Sequence, residues 1–448
     1  MTKIPITMFG NYSQKLISFA ILMILFSCDK EVLQDSGNDE NTNTPSDSSD
    51  TVQNNCTGET TNIGETYFLF DPDQTSKANR VVEEGDDRSN AFIQHDGGFV
   101  CTGTFNETSR FAGDGNLALY ALDENLDLKW MFKKEKGEFY DVIATSDNHY
   151  VAVGRLEDKD VSTIYVVKTT EEGELTWQFE VNTGVDNDLG GYASTIIENP
   201  VEDGYLVFGK AVSGSDLFGF GNDSFILCLN SQGEQKWVKS IGNSAVPIDV
   251  IQTNEGNFIL IQYDVDIIVS EITSAGQVIA SKKFGSSKND RANHILSLQD
   301  GNFLITGTTW GDDQDVSDNT GNSDAWLLVI DKHLNLVKEQ TLGGYGYQSG
   351  VETFQRKNGT LFMYGNTSNS DFFIDSSWND EWFVSLDSEL CILNWYTSGL
   401  YSDRKASDLL YFEDENKVAR FHDTNSEIYN NRPQMFYDHY IIWRYLKP

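Results

Sequence analysis

The chain has 448 residues, 39% hydrophobic and 12% aromatic, with 37 Gly and only 7 Pro, enough for a sizeable globular core. Asp and Glu number 69 against 32 Lys and Arg, a formal charge of −37. A surface this acidic repels phosphate backbones and argues against nucleic acid as a partner. It suits solubility, a cation or a basic partner.

Lys3 and Lys15 flank an apolar run, residues 16–26, which has secretory length and is too short for a bilayer anchor. It ends in Leu25-Phe26-Ser27-Cys28. That motif resembles a bacterial lipobox, whose cysteine is diacylated, with palmitate the expected acyl group, and becomes the first mature residue. Phe26 departs from the usual small or aliphatic residue there. Residues 1–27 are therefore expected to be a lipoprotein signal peptide, with Cys28 lipidated and its acyl chains in a membrane. An ordinary signal peptide that happens to contain Cys is the alternative. Residues 28–64 are rich in Asn, Ser, Thr and Asp and have too few apolar side chains to offset chain entropy, so they read as a disordered acidic tether. Asp29-Lys30-Glu31 resembles the surface-export signal of Bacteroidota lipoproteins, and Asp50-Thr51-Val52 resembles the O-glycosylation motif of that phylum. The resemblance implies a lipid-anchored outer-membrane protein, surface-exposed where the export signal acts.

From residue 65 to 448 the chain repeats one unit. Its plainest copy spans residues 300–344. Asp300-Gly301-Asn302 is a turn and Phe303-Leu304-Ile305-Thr306-Gly307 a short apolar run. A polar loop follows, then the run from Ala325 to Asp331, and a last run begins at Leu336. Short runs rich in β-branched and aromatic residues between turn formers are strands. Aligned on the second strand, the copies begin at Phe99, Tyr150, Tyr205, Phe258, Phe303, Leu361 and Val418, 45 to 58 residues apart. A fourth strand often carries Trp, as at Trp130, Trp177, Trp237 and Trp395. Four antiparallel strands repeated at about fifty residues make the blade of a β-propeller. The expected fold is all-β, with seven blades. The last copy lacks a fourth strand, because its third, residues 440–446, ends at the C-terminus. Thr66-Tyr67-Phe68-Leu69-Phe70 is a strand without a blade. Pairing the two is expected to close the ring and remove its open edge.

The pattern of DGG, apolar strand and Gly, then an Asp/Gly/Ser-rich loop, then a strand ending in Leu-Asp, resembles the tandem propeller repeats of Bacteroidota lipoproteins. The turns from Asp123 to Trp130 and from Asn230 to Trp237 resemble those of quinoprotein-like propellers. The resemblance implies the fold and leaves the activity open, because propellers host many activities.

The loops between second and third strands share one face with the connections between blades. Residues 104–116, 211–223, 309–324, 366–380 and 422–438 are long there, while 156–162 and 264–266 are short. Long loops on a rigid scaffold are where binding usually resides. Trp310, Trp378, Phe218, Phe220, Tyr345 and Tyr347 are the candidate ligand-binding residues on this rim. They read either as stacking platforms for a sugar or peptide or as plugs that pack the loops. Asp312, Asp313, Asp315, Asp318 and Asp324 crowd oxygen ligands into one loop, either a structural Ca2+ site or a solvated acidic loop, and no other cofactor is indicated. The six His lack paired-ligand spacing, and no G-x-S-x-G elbow occurs. Cys101 and Cys228 sit in apolar strands as core residues, whereas Cys56 and Cys391 could pair in an oxidising compartment.

The resulting expectation is a monomeric envelope lipoprotein whose propeller binds a glycan or protein without catalysis. A glycan-active hydrolase or lyase using carboxylates on the same face, and an accessory subunit of an outer-membrane complex, are the alternatives.

Overall fold

The computed structural model describes residues 78–81, 86–95, 98–107, 115–158, 161–185, 191–211, 223–242, 244–368, 379–397, 404–412, 417–425 and 437–445. Among them every regular element is a β-strand, and the strands form four-stranded antiparallel sheets, the blade unit of a propeller. Six sheets use four consecutive strands each. They cover residues 86–134, 137–185, 192–240, 246–284, 290–342 and 347–397 and are numbered one to six. A further sheet, the seventh, joins Arg404–Phe412, Lys417–Asn425 and Tyr437–Tyr445 to Ala78–Val81. The second strands begin at Gly98, Tyr150, Gly204, Phe258, Phe303, Leu361 and Lys417, on the expected anchors or one residue before them.

One expectation needs correcting. The strand beside Tyr437–Tyr445 is Ala78–Val81, with Ala78 opposite Ile442 and Val81 opposite His439. Residues 66–70, expected in that place, lie outside the described residues, and the place is taken by a segment further along the chain. An outermost strand is held largely by backbone hydrogen bonds, so it needs little of the apolar signal that made residues 66–70 stand out.

The core is a series of layers between sheets. Ile305 and Leu328 of sheet five pack with Ile261 and Val269 of sheet four, while the alternate residues Leu304 and Leu327 pack with Met363 and Trp382 of sheet six. Equivalent layers join sheets one and two, two and three, and three and four. Phe303–Thr309 and Asp324–Ile330 are therefore buried at every residue, on both faces. The fourth strand Gln235–Ser240 stays half-buried or exposed. Each apolar side chain in such a layer contributes roughly 1.5–3 kcal/mol.

Every first strand carries a register shift at the same place, at positions 89/91, 139/141, 193/195, 247/249, 292/294, 350/352 and 406/408. Such bulges re-aim the side chains beside them, and here those side chains stitch neighbouring sheets. Asp141 accepts from Val142 N (2.8 Å) and, across the layer, from Thr195 Oγ1 (2.8 Å) and Ile196 N (3.0 Å). Asp249 accepts from Val250 N (2.8 Å) and from Ile295 N of the next sheet (3.1 Å). Asn293 Nδ2 donates to Gly350 O at 2.6 Å.

The turns between third and fourth strands end on a residue in the left-handed region: Leu126, Gly173, Gly233, Gly276, Leu334 and Leu390, with φ from 61° to 81°. This is the form of a short hairpin in which a type I turn is followed by a left-handed bulge residue. Over the three glycines lie the fourth-strand tryptophans of the preceding sheet. A Cβ on Gly173, Gly233 or Gly276 would meet Trp130, Trp177 or Trp237 at 2.4, 2.5 or 2.3 Å. Trp130 Nε1 also donates to Glu171 O (2.8 Å) and Trp177 Nε1 to Ser231 O (3.1 Å) in those turns. In sheets four and five the Trp position holds Ala280 and Lys338. The turns that follow carry Leu334 and Leu390, each 1% exposed. Where the ring is missing, a leucine fills the layer from the other side.

Candidate binding face

Antiparallel pairing gives each sheet two ends. Turns between first and second and between third and fourth strands gather at one, the turn end. The loops between second and third strands, and the connections between sheets, gather at the other. Asp290, Thr309 and Asp324 lie abreast on three adjacent strands at that loop end. Trp378, Phe218, Phe220 and Cys28 lie outside the described residues. The described part of the loop end centres on sheets four, five and six.

Trp310 follows Phe303–Thr309 directly, and its N–H donates to Asn289 O at 3.2 Å. Its half-buried ring stands 5.7 Å from the Arg291 guanidinium carbon, which is also 5.0 Å from the ring of Tyr263. Arg291 lies on the first strand of sheet five, and Tyr263 ends the second strand of sheet four. The loop after Tyr263 is only residues 264–266, closed by Asp264 N to Asp266 O at 3.2 Å. A low edge thus borders the tall loop of sheet five, with a cation shared by two aromatic rings at the step. Each cation–ring contact is worth about 0.5–1 kcal/mol at such a site.

The acidic loop holds itself to the neighbouring connection. Asp313 Oδ1 accepts from Ser287 N (2.6 Å) and Asp315 Oδ2 from Gly285 N (3.1 Å), while Asp315 N returns a bond to Gly285 O (3.2 Å). Val316 sits between them as an apolar anchor in the layer shared by sheets four and five. The Ser287 N–H holds the Asp313 carboxyl below its ordinary value. Asp312 is exposed and Asp318 half-exposed. Among the described residues no three His, Cys, Asp or Glu are grouped to hold a metal ion. Asp313 and Asp315 thus cap backbone N–H groups of the neighbouring connection.

Asp324 differs from the rest. It is 1% exposed, Oδ2 accepts from Thr320 N (3.0 Å), and Oδ1 receives no hydrogen bond from the described residues. Burial pushes its pKa up to about 7, opposed by the Thr320 N–H and reinforced by Asp318. Asp290 is 0% exposed and accepts from Ser286 N (2.6 Å) and Ser286 Oγ (2.9 Å). Its pKa is also raised, chiefly by burial.

Tyr345 and Tyr347 lie beyond the far end of the acidic loop. Tyr345 is 71% exposed, and Tyr347 opens the first strand of sheet six beside Ser323. Asn322 N donates to Gly346 O (3.0 Å) and Gln348 N to Ser323 O (2.8 Å), which ties this connection to the loop. Trp310 thus belongs to the sheet four side and the tyrosines to the sheet six side.

A second concentration of polar side chains was not visible in the sequence. Glu138 and Arg155 face each other across the first two strands of sheet two, both 5% exposed. Asn90 Nδ2 of sheet one donates to Glu138 Oε1 (3.1 Å) and to Phe139 O (2.5 Å). Tyr140 packs against Tyr192 of sheet three at 5.5 Å, and burial raises its pKa well above the ordinary value. These groups form a filled polar layer joining three sheets. The one sequence cue was an acidic residue at a position where Arg291 and the other copies are basic or uncharged.

No protein-family model matches the chain, and no curated protein matches its sequence. Among solved structures it is similar to a protein of unknown function from Bacteroides caccae, at 16% identity, with 65% of this chain and 93% of that one covered and a TM-score of 0.39. It is similar to the Dos1 propeller at 11% identity, 80% and 81% coverage and a TM-score of 0.47. It is also similar to Raptor of Chaetomium thermophilum at 10% identity, 84% and 29% coverage and a TM-score of 0.49. Likenesses this remote carry no argument about function, and the β-propeller is read from the sheets themselves.

Proposed function

We propose that the chain is a cell-envelope lipoprotein, acylated at Cys28 and held in the outer membrane, whose propeller binds a glycan or a protein through its loop end without catalysis. The propeller is read as seven blades, with Ala78–Val81 completing the last. In support, Asp86–His95 of sheet one lies against Arg404–Phe412 and Tyr437–Tyr445 of the seventh sheet. The observation that carries the binding role is Arg291 held between Tyr263 and Trp310 beside the lowest part of the rim. Two rings and a guanidinium at a step offer stacking faces and fixed donors, the combination that sugar rings and peptide chains use.

The test is a glycan array and a pull-down from envelope extract with the full chain. Trp310→Ala and Arg291→Gln should each abolish the signal while leaving the melting temperature within the range of surface substitutions. A ligand whose binding survives both changes overturns the assignment of this surface. For the anchor, Cys28→Ala should leave the precursor unprocessed or release the protein from membranes. A mature N-terminus away from Cys28 and free of lipid in a mass spectrum would refute it.

A further inference from the structure

Asp290 stands where the two sides of the Arg291 step are joined. It opens the first strand of sheet five, between Asn289, whose O accepts from Trp310 N (3.2 Å), and Arg291 itself. Its own N–H donates to Val265 O (2.8 Å), which ties sheet five to the short loop 264–266 of sheet four. The carboxyl is buried, and Oδ2 accepts from Ser286 N (2.6 Å) and Ser286 Oγ (2.9 Å). Ser286 in turn lies against Gly311, where an added Cβ would collide with Ser286 Oγ. One buried residue thus holds the Tyr263 side of the step through Val265 and the Trp310 side through Ser286.

A second carboxyl shares its space. A Cβ on Gly285 would meet Asp266 Oδ1 at 2.9 Å and Asp290 Oδ2 at 3.0 Å, so no side chain separates the two acids. Like charges this close disfavour one another's ionisation. Burial raises the pKa of Asp290 most, and the Asp266 charge raises it further, against bonds from Thr309 and Ser286. The bases nearby face other groups: Lys283 lies 3.8 Å from Asp266 Oδ2, Arg291 stands over the two rings, and Lys288 is exposed. Of the other acids, Asp264 is exposed, Asp313 and Asp315 accept from Ser287 N and Gly285 N, and Asp324 lies on the third strand beyond Thr309. An ionised Asp290 therefore needs water. The loop 264–266 is the neighbour best able to admit it, being three residues long with Asp264 and Val265 exposed.

We propose that Asp290 is a positioning residue for the ligand surface: neutral, it draws the loop 264–266 and the Trp310 backbone together about Arg291, and ionised, it repels Asp266 and lets that loop swing outward. The folded chain favours the protonated form. The assembled step is therefore present at low pH and is lost as the pH rises from the ordinary aspartate value through the raised one of Asp290. A glycan or peptide that stacks on both rings is held in acid and released as the pH climbs past that value. The role in binding rests on the reading of this surface as the ligand site, whereas the change of shape does not.

The test is acrylamide quenching of tryptophan fluorescence in the full chain without ligand, with Trp310→Phe subtracted to isolate Trp310. Acrylamide is neutral, so the acidic surface does not repel it. Between about pH 4 and pH 8 the Trp310 signal of the unsubstituted protein should become more open to the quencher. That rise should be lost in Asp290→Asn, which keeps the side chain's shape and cannot ionise. It should move to lower pH in Asp266→Asn, which removes the repulsion through a partly exposed side chain and serves as the test if Asp290→Asn does not fold. Asp324→Asn should leave the rise in place. No rise in the unsubstituted protein, a rise that persists in Asp290→Asn, or one that does not move in Asp266→Asn overturns the proposal. The binding reading fails separately: if the rise is seen but neither the glycan array nor the pull-down gives a signal in acid, the surface is not the ligand site and the role of Asp290 in its shape stands.

Discussion

The two ends of the sheets treat buried groups in opposite ways. At the turn end, bulk and polarity are matched: a tryptophan meets a glycine, an alanine or lysine meets a leucine, and acidic side chains cap backbone N–H groups. Backbone donors at Asp127 and Asn335 hold Asp123 and Asp331 below their ordinary values. Asp147 is also lowered, because hydrogen bonds from Lys168 and Thr145 outweigh its partial burial. At the loop end of sheet five, Asp290 and Asp324 are buried and raised, and an oxygen of Asp324 receives no hydrogen bond from the described residues. At the same end the exposed Asp313 is held down by the Ser287 N–H, so it is the buried pair, and not the loop end's carboxylates as a class, that opposes the fold by ionising. Arg291 between Tyr263 and Trp310 also lies at the loop end, and it is on that account that the proposed ligand site is placed there.

The strongest way to break this contrast is at a tryptophan–glycine contact. Trp177→Ala removes a half-buried ring and its bond to Ser231, and Gly233→Ala drives a Cβ into that ring from a left-handed backbone. Each should destabilise by about 2–4 kcal/mol in a denaturant titration. Losses no larger than those of exposed sites would mean the contacts are incidental. A weaker effect is expected at the leucine version. Leu334→Gly loses buried area and gains backbone freedom in the unfolded chain, but it relieves a left-handed leucine, leaving a net loss of about 1–3 kcal/mol. The double change Ala280→Trp with Leu334→Gly should recover stability over Ala280→Trp alone. Strict additivity would show that ring and leucine do not occupy the same space.

The next effect separates the two ends by pH. The folded-state pKa of Asp324 lies above its unfolded value of 3.8, so the folded chain binds the extra proton. Stability from this group is full at low pH and is lost as pH rises from about 4 through about 7. Asp324→Asn should therefore stabilise the protein by about 1–3 kcal/mol at pH 8 and not at pH 4. Asp147 runs the other way, its contribution present above the ordinary carboxylate value and lost as the pH falls through its lowered one. An Asp324→Asn protein with an unchanged pH profile would remove the contrast. The smallest effect belongs to Lys338→Ala, which breaks bonds to Ser388 O and the exposed Glu389 and should shift stability by less than about 1 kcal/mol.

The strand starts were legible because Phe99, Tyr150, Tyr205, Phe258 and Phe303 each follow a turn and begin a run buried on both sides, which writes itself as unbroken apolar sequence. Ala78–Val81 was not legible. Four residues on an outer edge, two of them polar, need only backbone pairing, whereas the aromatic run at residues 66–70 carried the stronger strand signal. In the loop at residues 310–323 the sequence located Trp310 and the aspartates but not their roles. Whether an Asp of this loop finds an N–H to cap depends on a connection 26 to 30 residues earlier. Leu334 and Leu390 in left-handed turns were hidden for the same reason, since their fitness depends on Ala280 and Lys338 in the preceding sheet.

The pairing of Ala78–Val81 with Tyr437–Tyr445 also sets an order of events during synthesis. Sheets one to six can each assemble from contiguous chain as it emerges, but the seventh waits for Tyr437–Tyr445, far along the chain from Ala78–Val81. Until they arrive, the outer apolar surface of sheet one, with Phe92, Phe99 and Tyr120, has no neighbouring sheet to cover it. Contacts between distant parts of a chain form slowly, and exposed sheet surfaces associate while they wait. A chain truncated before residue 437 would leave Ala78–Val81 without the strand it pairs with, and such a chain is expected to associate through the surface left uncovered.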